Sequence, residues 1–98
     1  MVEKEAIGKA VNEVVPGHDI REVWLYGSYA RGDQADGSDV DLRFLCGDHI
    51  GFAELYDIQQ QLEKRIGQPL DIVTAPPEQM RQSFWNHIKK DQVLLYGA

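Results

Sequence analysis

Asp39 and Asp41 lie two residues apart at the start of a segment, Val40 to Leu45, whose residue types favour a β-strand. Side chains alternate along a strand, so both carboxylates project from one face while Val40 points into the core. Such a pair can share a cation. Mg²⁺ takes oxygen ligands in an octahedron and is commonly held by one or two carboxylates plus substrate phosphates, so the pair amounts to half of a metal site. Taken alone, a D-x-D is more simply a solvated strand end. Gly27-Ser28 changes the balance, because it falls where a β-prone run, Glu22 to Tyr26, gives way to a short helical segment. That junction turns backbone N–H groups and a positive dipole end towards an anion. Glycine lets a phosphate approach the backbone, and the serine hydroxyl can donate to it. Asp71 sits inside an otherwise apolar strand, LDIV, where a lone buried charge would be costly without a metal or a partner. It either caps a neighbouring loop at a strand edge or closes the metal site from an adjacent strand, and the convergence of three features favours the second.

The elements that must position these residues follow from periodicity and punctuation. Ala6, Ile7, Ala10, Val11 and Val14 mark an amphipathic helix closed by Pro16-Gly17. SYARGDQ forms a short helix before ADGSD turns the chain. Phe52, Leu55, Gln59, Leu62 and Ile66 keep a helical stripe that stops at Gly67. Leu70 to Thr74 is a third strand. Met80, Phe84 and Ile88 recur along a final helix, expected to give that stripe to the core and to leave Trp85 offset, as a residue for docking a partner, with the loop from Gly47 to Gly51 as the other place for such a surface. Val93 to Tyr96 is a short fourth strand. The alternating order of helices and strands is that of an α/β (α+β) layer in which helices cover a sheet of about four strands.

Composition narrows the function further. At 98 residues, 43% hydrophobic and 27% charged, the chain is expected to form one globular domain over 1–98. No run is apolar enough to span a bilayer, and MVEKEAIGKAV opens with charges, so a cytoplasmic protein without a membrane partner is expected. Cys46 is the only cysteine, which excludes an intrachain disulfide and a zinc framework; His18, His49 and His87 are scattered and read as surface or loop residues. A net charge of −6 disfavours direct binding to long nucleic acids, whose affinity comes from Lys and Arg neutralising phosphates. A nucleotide carried with a divalent cation is not disfavoured, because the metal supplies positive charge locally.

The run Gly27-Ser28-Tyr29-Ala30-Arg31-Gly32, followed by Ser38-Asp39-Val40-Asp41-Leu42, resembles the GSxARG…SDxDL signature of minimal nucleotidyltransferase (MNT) domains of the polymerase beta superfamily. Asp71 matches the third carboxylate of that family, and the VLLYG ending is also similar. The resemblance implies a mixed sheet backed by helices, with ATP and two Mg²⁺ ions between the Gly-Ser turn and the acidic strands. Gly27 and Ser28 would hold the β- and γ-phosphates, and Asp39 and Asp41 the metals. Asp71 would bind the second metal and help deprotonate an attacking hydroxyl. Arg31 matches the signature arginine, and either reaches phosphate or pairs with Asp33 or Asp36 to hold the loop. Chains of this size resemble the antitoxin half of HEPN/MNT pairs, in which AMP passes from ATP to a tyrosine of a HEPN toxin. Two other readings stand beside that one: an antitoxin that neutralises a HEPN partner by association alone, and a small-molecule nucleotidyltransferase whose acceptor pocket is completed by homo-oligomerisation.

Overall fold

The computed structural model describes residues 3–35 and 37–97. Helix α1 (Lys4–Val14) leads into β1 (Ile20–Tyr26), the single turn α2 (Ser28–Arg31) and β2 (Val40–Cys46). Helix α3 (Phe52–Ile66) then crosses to β3 (Leu70–Val73), and a 3₁₀ turn at Pro77–Gln79 precedes α4 (Gln82–Ile88) and β4 (Val93–Tyr96). The strands form one sheet in the order β3-β2-β1-β4. Strand β1 is antiparallel to β2 and β4, while β2 and β3 run parallel. The parallel pair is what α3 makes possible, since parallel neighbours need a long crossover.

One face of the sheet carries the core. Val23 and Leu25 of β1, with Val40, Leu42 and Phe44 of β2, alternate inward against Ile7, Val11 and Val14 of α1 and Ile58, Leu62 and Ile66 of α3. Both helices stop where the sequence places their stops. Pro16 and Gly17 follow α1, and Gly67 takes a left-handed conformation (φ 79°) while its N–H donates to the Glu63 carbonyl.

Four apolar residues differ from the periodicity. Ala6 is exposed at the outer side of α1. Phe52, the first residue of α3, is 90% exposed, and the fully buried residues of α3 begin only at Ile58. On α4 only Ile88 is buried; Met80 precedes the helix and Phe84 remains 38% exposed. This helix is short and covers the second face of the sheet, opposite the main core, so its stripe faces a cavity instead of closing one.

Candidate active site

Strand register builds the site. Tyr26 of β1 is paired with Asp41 of β2, which is paired in turn with Asp71 of β3, so the three side chains form one row across the second face of the sheet. The next row on that face is Trp24, Arg43 and Val73. Beyond Tyr26 the chain reaches Gly27 with φ 75° and ψ −154°, a conformation that side chains other than hydrogen rarely adopt. A Cβ at this position would stand 3.2 Å from Cγ of Asp41 and closer still to its Oδ2. The glycine therefore serves a second purpose besides phosphate access: it lets the turn close down on the carboxylate.

Ser28 opens α2, which is only one turn long; the Ala30 and Arg31 N–H groups return to the Gly27 carbonyl, and Gly32 (φ 83°) ends it. A four-residue helix has almost no macrodipole, so the dipole expected at this junction is not what an anion would meet. What remains is local: the first amides of the turn, which have no helical acceptor by position, and the Ser28 hydroxyl.

A cavity of about 390 Å³ joins these parts. Gly27, Ser28, Arg31, Asp41 and Asp71 line it from the sheet side, with Tyr26 on its floor and Phe84, His87 and Ile88 of α4 as its far wall. Asp39 does not line the cavity. It stands just before β2, exposed, and reaches the site through its field on Asp41. Asp71 is also exposed, so the cost of a buried charge does not explain its place in LDIV; its position next to Asp41 at a sheet edge does. Burial raises the Asp41 carboxyl above the usual carboxylate range, Asp71 and Asp39 push it further, and Arg31 opposes them. Burial, then Asp41 and Asp71, drives the Tyr26 hydroxyl up to about 12. Among the described residues no three of His, Cys, Asp and Glu are gathered at ligand spacing. The donor chemistry nonetheless fits a hard dication, with carboxylate oxygens side by side and an electrostatic cost that a cation would relieve.

Arg31 makes one of the two contacts expected of it, the pairing with Asp33. Its Nε donates to Asp33 at 3.1 Å and its guanidinium lies 3.8 Å from Asp91, while the side chain still borders the cavity. Asp36 lies outside the described residues.

The wall formed by α4 was not legible as part of a site. His87, read as a surface or loop histidine, is an exposed helical residue that also borders the cavity, whereas His18 is tied to Glu54 and His49 stands by Asp19. Trp85 is half-buried, with the Arg43 guanidinium 5.3 Å from its ring centroid and 5.5 Å from that of Trp24, so it is packed in part against the sheet and does not stand free on α4. Arg43 is 5% exposed and donates to Gln92 Oε1 through Nη2 at 3.0 Å. Burial lowers its pKa, and Glu22 works against that. Phe84 meets Tyr26 edge-on at 6.1 Å. Tyr26 could have been found from the sequence, since it directly precedes Gly27 and antiparallel pairing sets it beside the acidic strand.

A mixed sheet with a Gly-Ser turn beside carboxylates on adjacent strands defines a nucleotidyltransferase of the polymerase beta type. The model of the family described as polymerase beta, nucleotidyltransferase, matches residues 9–98, and the chain belongs to that family. A Methanocaldococcus jannaschii relative that carries the provisional name protein adenylyltransferase is 32% identical over 73 residues, 72% of this chain and 73% of its own. A toxin–antitoxin structure with AMP-PNP superposes with a TM-score of 0.68 at 21% identity, over 96% of this chain and 73% of the other. A structure of a tri-AMPylated Shewanella oneidensis HEPN toxin in complex with MNT antitoxin gives a TM-score of 0.61 at 18% identity, over 96% of this chain and 69% of the other. At those identities the two structures speak for the fold. No helix among the described residues is long and apolar enough to cross a membrane.

Proposed function

We propose that this nucleotidyltransferase is a single-domain, cytoplasmic, Mg²⁺-dependent protein adenylyltransferase that moves AMP from ATP to a tyrosine of a HEPN toxin and so acts as its antitoxin. The observation that carries the reading is the Tyr26–Asp41–Asp71 row, which sets two carboxylates from neighbouring strands beside the Gly27–Ser28 turn in one cavity. The relative named for protein adenylylation and the HEPN toxin bearing AMP groups support the choice of acceptor.

In this reading Ser28 and the first amides of α2 hold the β- and γ-phosphates, with Arg31 at their border. Asp39, Asp41 and Asp71 would hold two Mg²⁺ ions, whose charge would offset that of the phosphates and of the reacting oxygens. Asp71, exposed at the edge of the row, takes the proton of the attacking hydroxyl. The acceptor oxygen forms a bond to the α-phosphorus as the bond from that phosphorus to the bridging oxygen breaks, and pyrophosphate leaves with the electron pair. The chain's part is positioning and charge placement. Incubation with labelled ATP, Mg²⁺ and the HEPN protein encoded beside it tests the proposal. Label on a toxin tyrosine, lost when Asp41 becomes Asn, is the expected result; an intact protein that silences the toxin without transferring label would replace catalysis by association.

A further inference from the structure

Among the described residues four large apolar side chains are exposed. Phe84 and Leu94, at 38% and 37%, are only just so, whereas Phe52 and Tyr56, one turn apart on α3, stand 90% and 65% exposed. Neither lines the reaction cavity, which opens on the other face of the sheet. Both are carried on anchored backbone. His18 is tied to Glu54 in the first turn of α3, and the β2–α3 loop is held to Asp19, whose carboxylate accepts from the His49 N–H at 2.8 Å and whose carbonyl accepts from the Gly47 N–H at 2.9 Å. Aromatic side chains on backbone that is already ordered lose little further entropy on association. The free edge of β3 beside them is blocked to strand addition at Leu70, whose N–H donates to Glu63 Oε2 at 2.9 Å and whose carbonyl accepts from Gln59 Nε2 at 3.4 Å. Contact on this side of the molecule therefore falls to the outer ridge of α3.

The exposed positions of α3 fall in pairs four residues apart, at 52–53, 56–57, 60–61 and 64–65, so the ridge has the same spacing in both directions. Its chemistry differs between the two ends. The aromatics and the Asp57 carboxylate occupy the first half, and Lys64 and Arg65 the last turn. We infer that this ridge pairs with the same ridge of a second copy of the chain, antiparallel about a two-fold axis between Ile58 and Gln59. Phe52 then lies against Arg65 of the second copy and Tyr56 against Gln61, while the small Ala53 leaves room for the stem of Lys64. Cationic heads meet aromatic faces there, and their stems cover the rings. A hollow of about 380 Å³ lined by Gln61, Lys64 and Arg65 seats the incoming Phe52 ring. Asp57 comes within reach of the same cations, and the opposed helix ends offset each other's dipoles. Charge is what selects a second copy over a different protein, because one ridge carries both the acidic, aromatic half and its basic complement. A single helix pair falls short of the roughly 1,200 Å² of a standard interface, so the dimer is weak, with a Kd of roughly 10–100 µM. Since α3 lies on the core face, both reaction cavities look outward and neither copy completes the other's site. The inference stands apart from the transferase reading.

Sedimentation equilibrium of the whole chain, from about 5 µM to about 1 mM, should show a monomer–dimer equilibrium. Phe52→Lys sets a cation against Lys64 and Arg65 of the second copy and should weaken dimerisation about ten-fold or more. The site is exposed, so the melting temperature of the dilute monomer should not change. Adding Lys64→Glu to that variant should recover at least about five-fold of the loss. Cross-linking tests the orientation. In a Cys46→Ser background, chains bearing Ala53→Cys and chains bearing Lys64→Cys should join under mild oxidation, whereas Ala53→Cys chains alone should not, because the axis sets their thiols about 16 Å apart along the helices. AMP transfer per chain by Phe52→Lys should stay within about two-fold of the parent; loss of transfer together with the dimer would put the second copy in the site and overturn the outward arrangement. A chain that stays monomeric over the whole range overturns the inference, as does a dimer that Phe52→Lys leaves intact. If the chain is monomeric and Phe52→Lys abolishes capture of the HEPN protein, the ridge belongs to that partner and the inference is overturned.

Discussion

Asp41 combines two demands that oppose each other. It must be ionised to hold a metal, yet burial and the fields of Asp71 and Asp39 favour its neutral form. Its folded pKa is raised above the unfolded value, so the folded chain binds the extra proton more readily; stability is greater below that raised pKa and declines as pH rises through it. Replacing Asp41 by Asn should therefore abolish transfer and raise the apo melting temperature at neutral pH, though modestly given the partial exposure of the group. The gain should shrink as the buffer is made acidic, and thermal melts across pH 4 to 8 with Mg²⁺ removed would show it. An Asn variant less stable than the parent at neutral pH would mean that the carboxylate has a structural partner. Asp71→Asn should behave differently. It keeps an oxygen ligand but loses the proton acceptor, so AMP-PNP affinity should survive while kcat falls about a hundred-fold or more. Gly27→Val combines a forbidden φ with a collision at the Asp41 carboxylate, and should lose nucleotide binding and at least about 2 kcal/mol of stability. Ser28→Ala should raise the KM for ATP more than it lowers kcat.

At the scale of elements, much of the site was legible because it depends on strands. The D-x-D spacing, the Gly-Ser turn and the third carboxylate each sit on or next to a strand, and alternation says where the side chains point. Even so, Asp39 proved to stand outside β2, since the strand begins only where the Val40 N–H finds the Pro69 carbonyl. Helix α4 was the element misread. With seven residues it is too short for periodicity to show which side is covered, and its two aromatics serve partners that only register brings together: Tyr26 for Phe84 and Arg43 for Trp85. Arg43 lies in the row next to the carboxylates, and through Trp85 and Gln92 it ties the α4–β4 segment to the sheet. Arg43→Ala should cost about 2–4 kcal/mol, because it removes a buried cation–π contact and leaves Gln92 without its donor. The same variant should raise the KM for ATP, as the wall bearing Phe84 and His87 loosens. Denaturant melts and steady-state kinetics together check the pair of effects, and Arg43→Lys should recover little, lacking the planar group that lies over the rings.

Charge decides how the whole molecule meets a nucleotide. The chain carries −6 overall, and the arginine bordering the cavity is already engaged by Asp33 and Asp91. A bare triphosphate would bring several more negative charges to a wall that holds Asp41 and Asp71, and the nearest protein cation is half compensated. A dication alone faces carboxylates of which one is made readier to keep a proton by its surroundings, and it lacks the phosphate oxygens that would complete its octahedron. Each ligand therefore makes a poor partner without the other, and their binding should be strongly coupled. At fixed ionic strength and neutral pH, ATP without metal and Mg²⁺ without ATP should each shift the melting temperature little. Together, at concentrations about a hundred-fold above the ternary dissociation constant, they should add roughly 2.7 kcal/mol of stability. Calorimetric titration with ATP in the presence of a chelator supplies the second arm, with an affinity at least about ten-fold weaker expected there. Asp39→Ala and Asp41→Ala should each reduce the coupling, Asp41→Ala the more, since Asp41 lines the cavity and Asp39 stands just outside it. Equal affinities for ATP with and without Mg²⁺ would mean that the phosphates are held by the turn and Arg31 alone, and that the carboxylate row answers to something other than a metal-bound nucleotide.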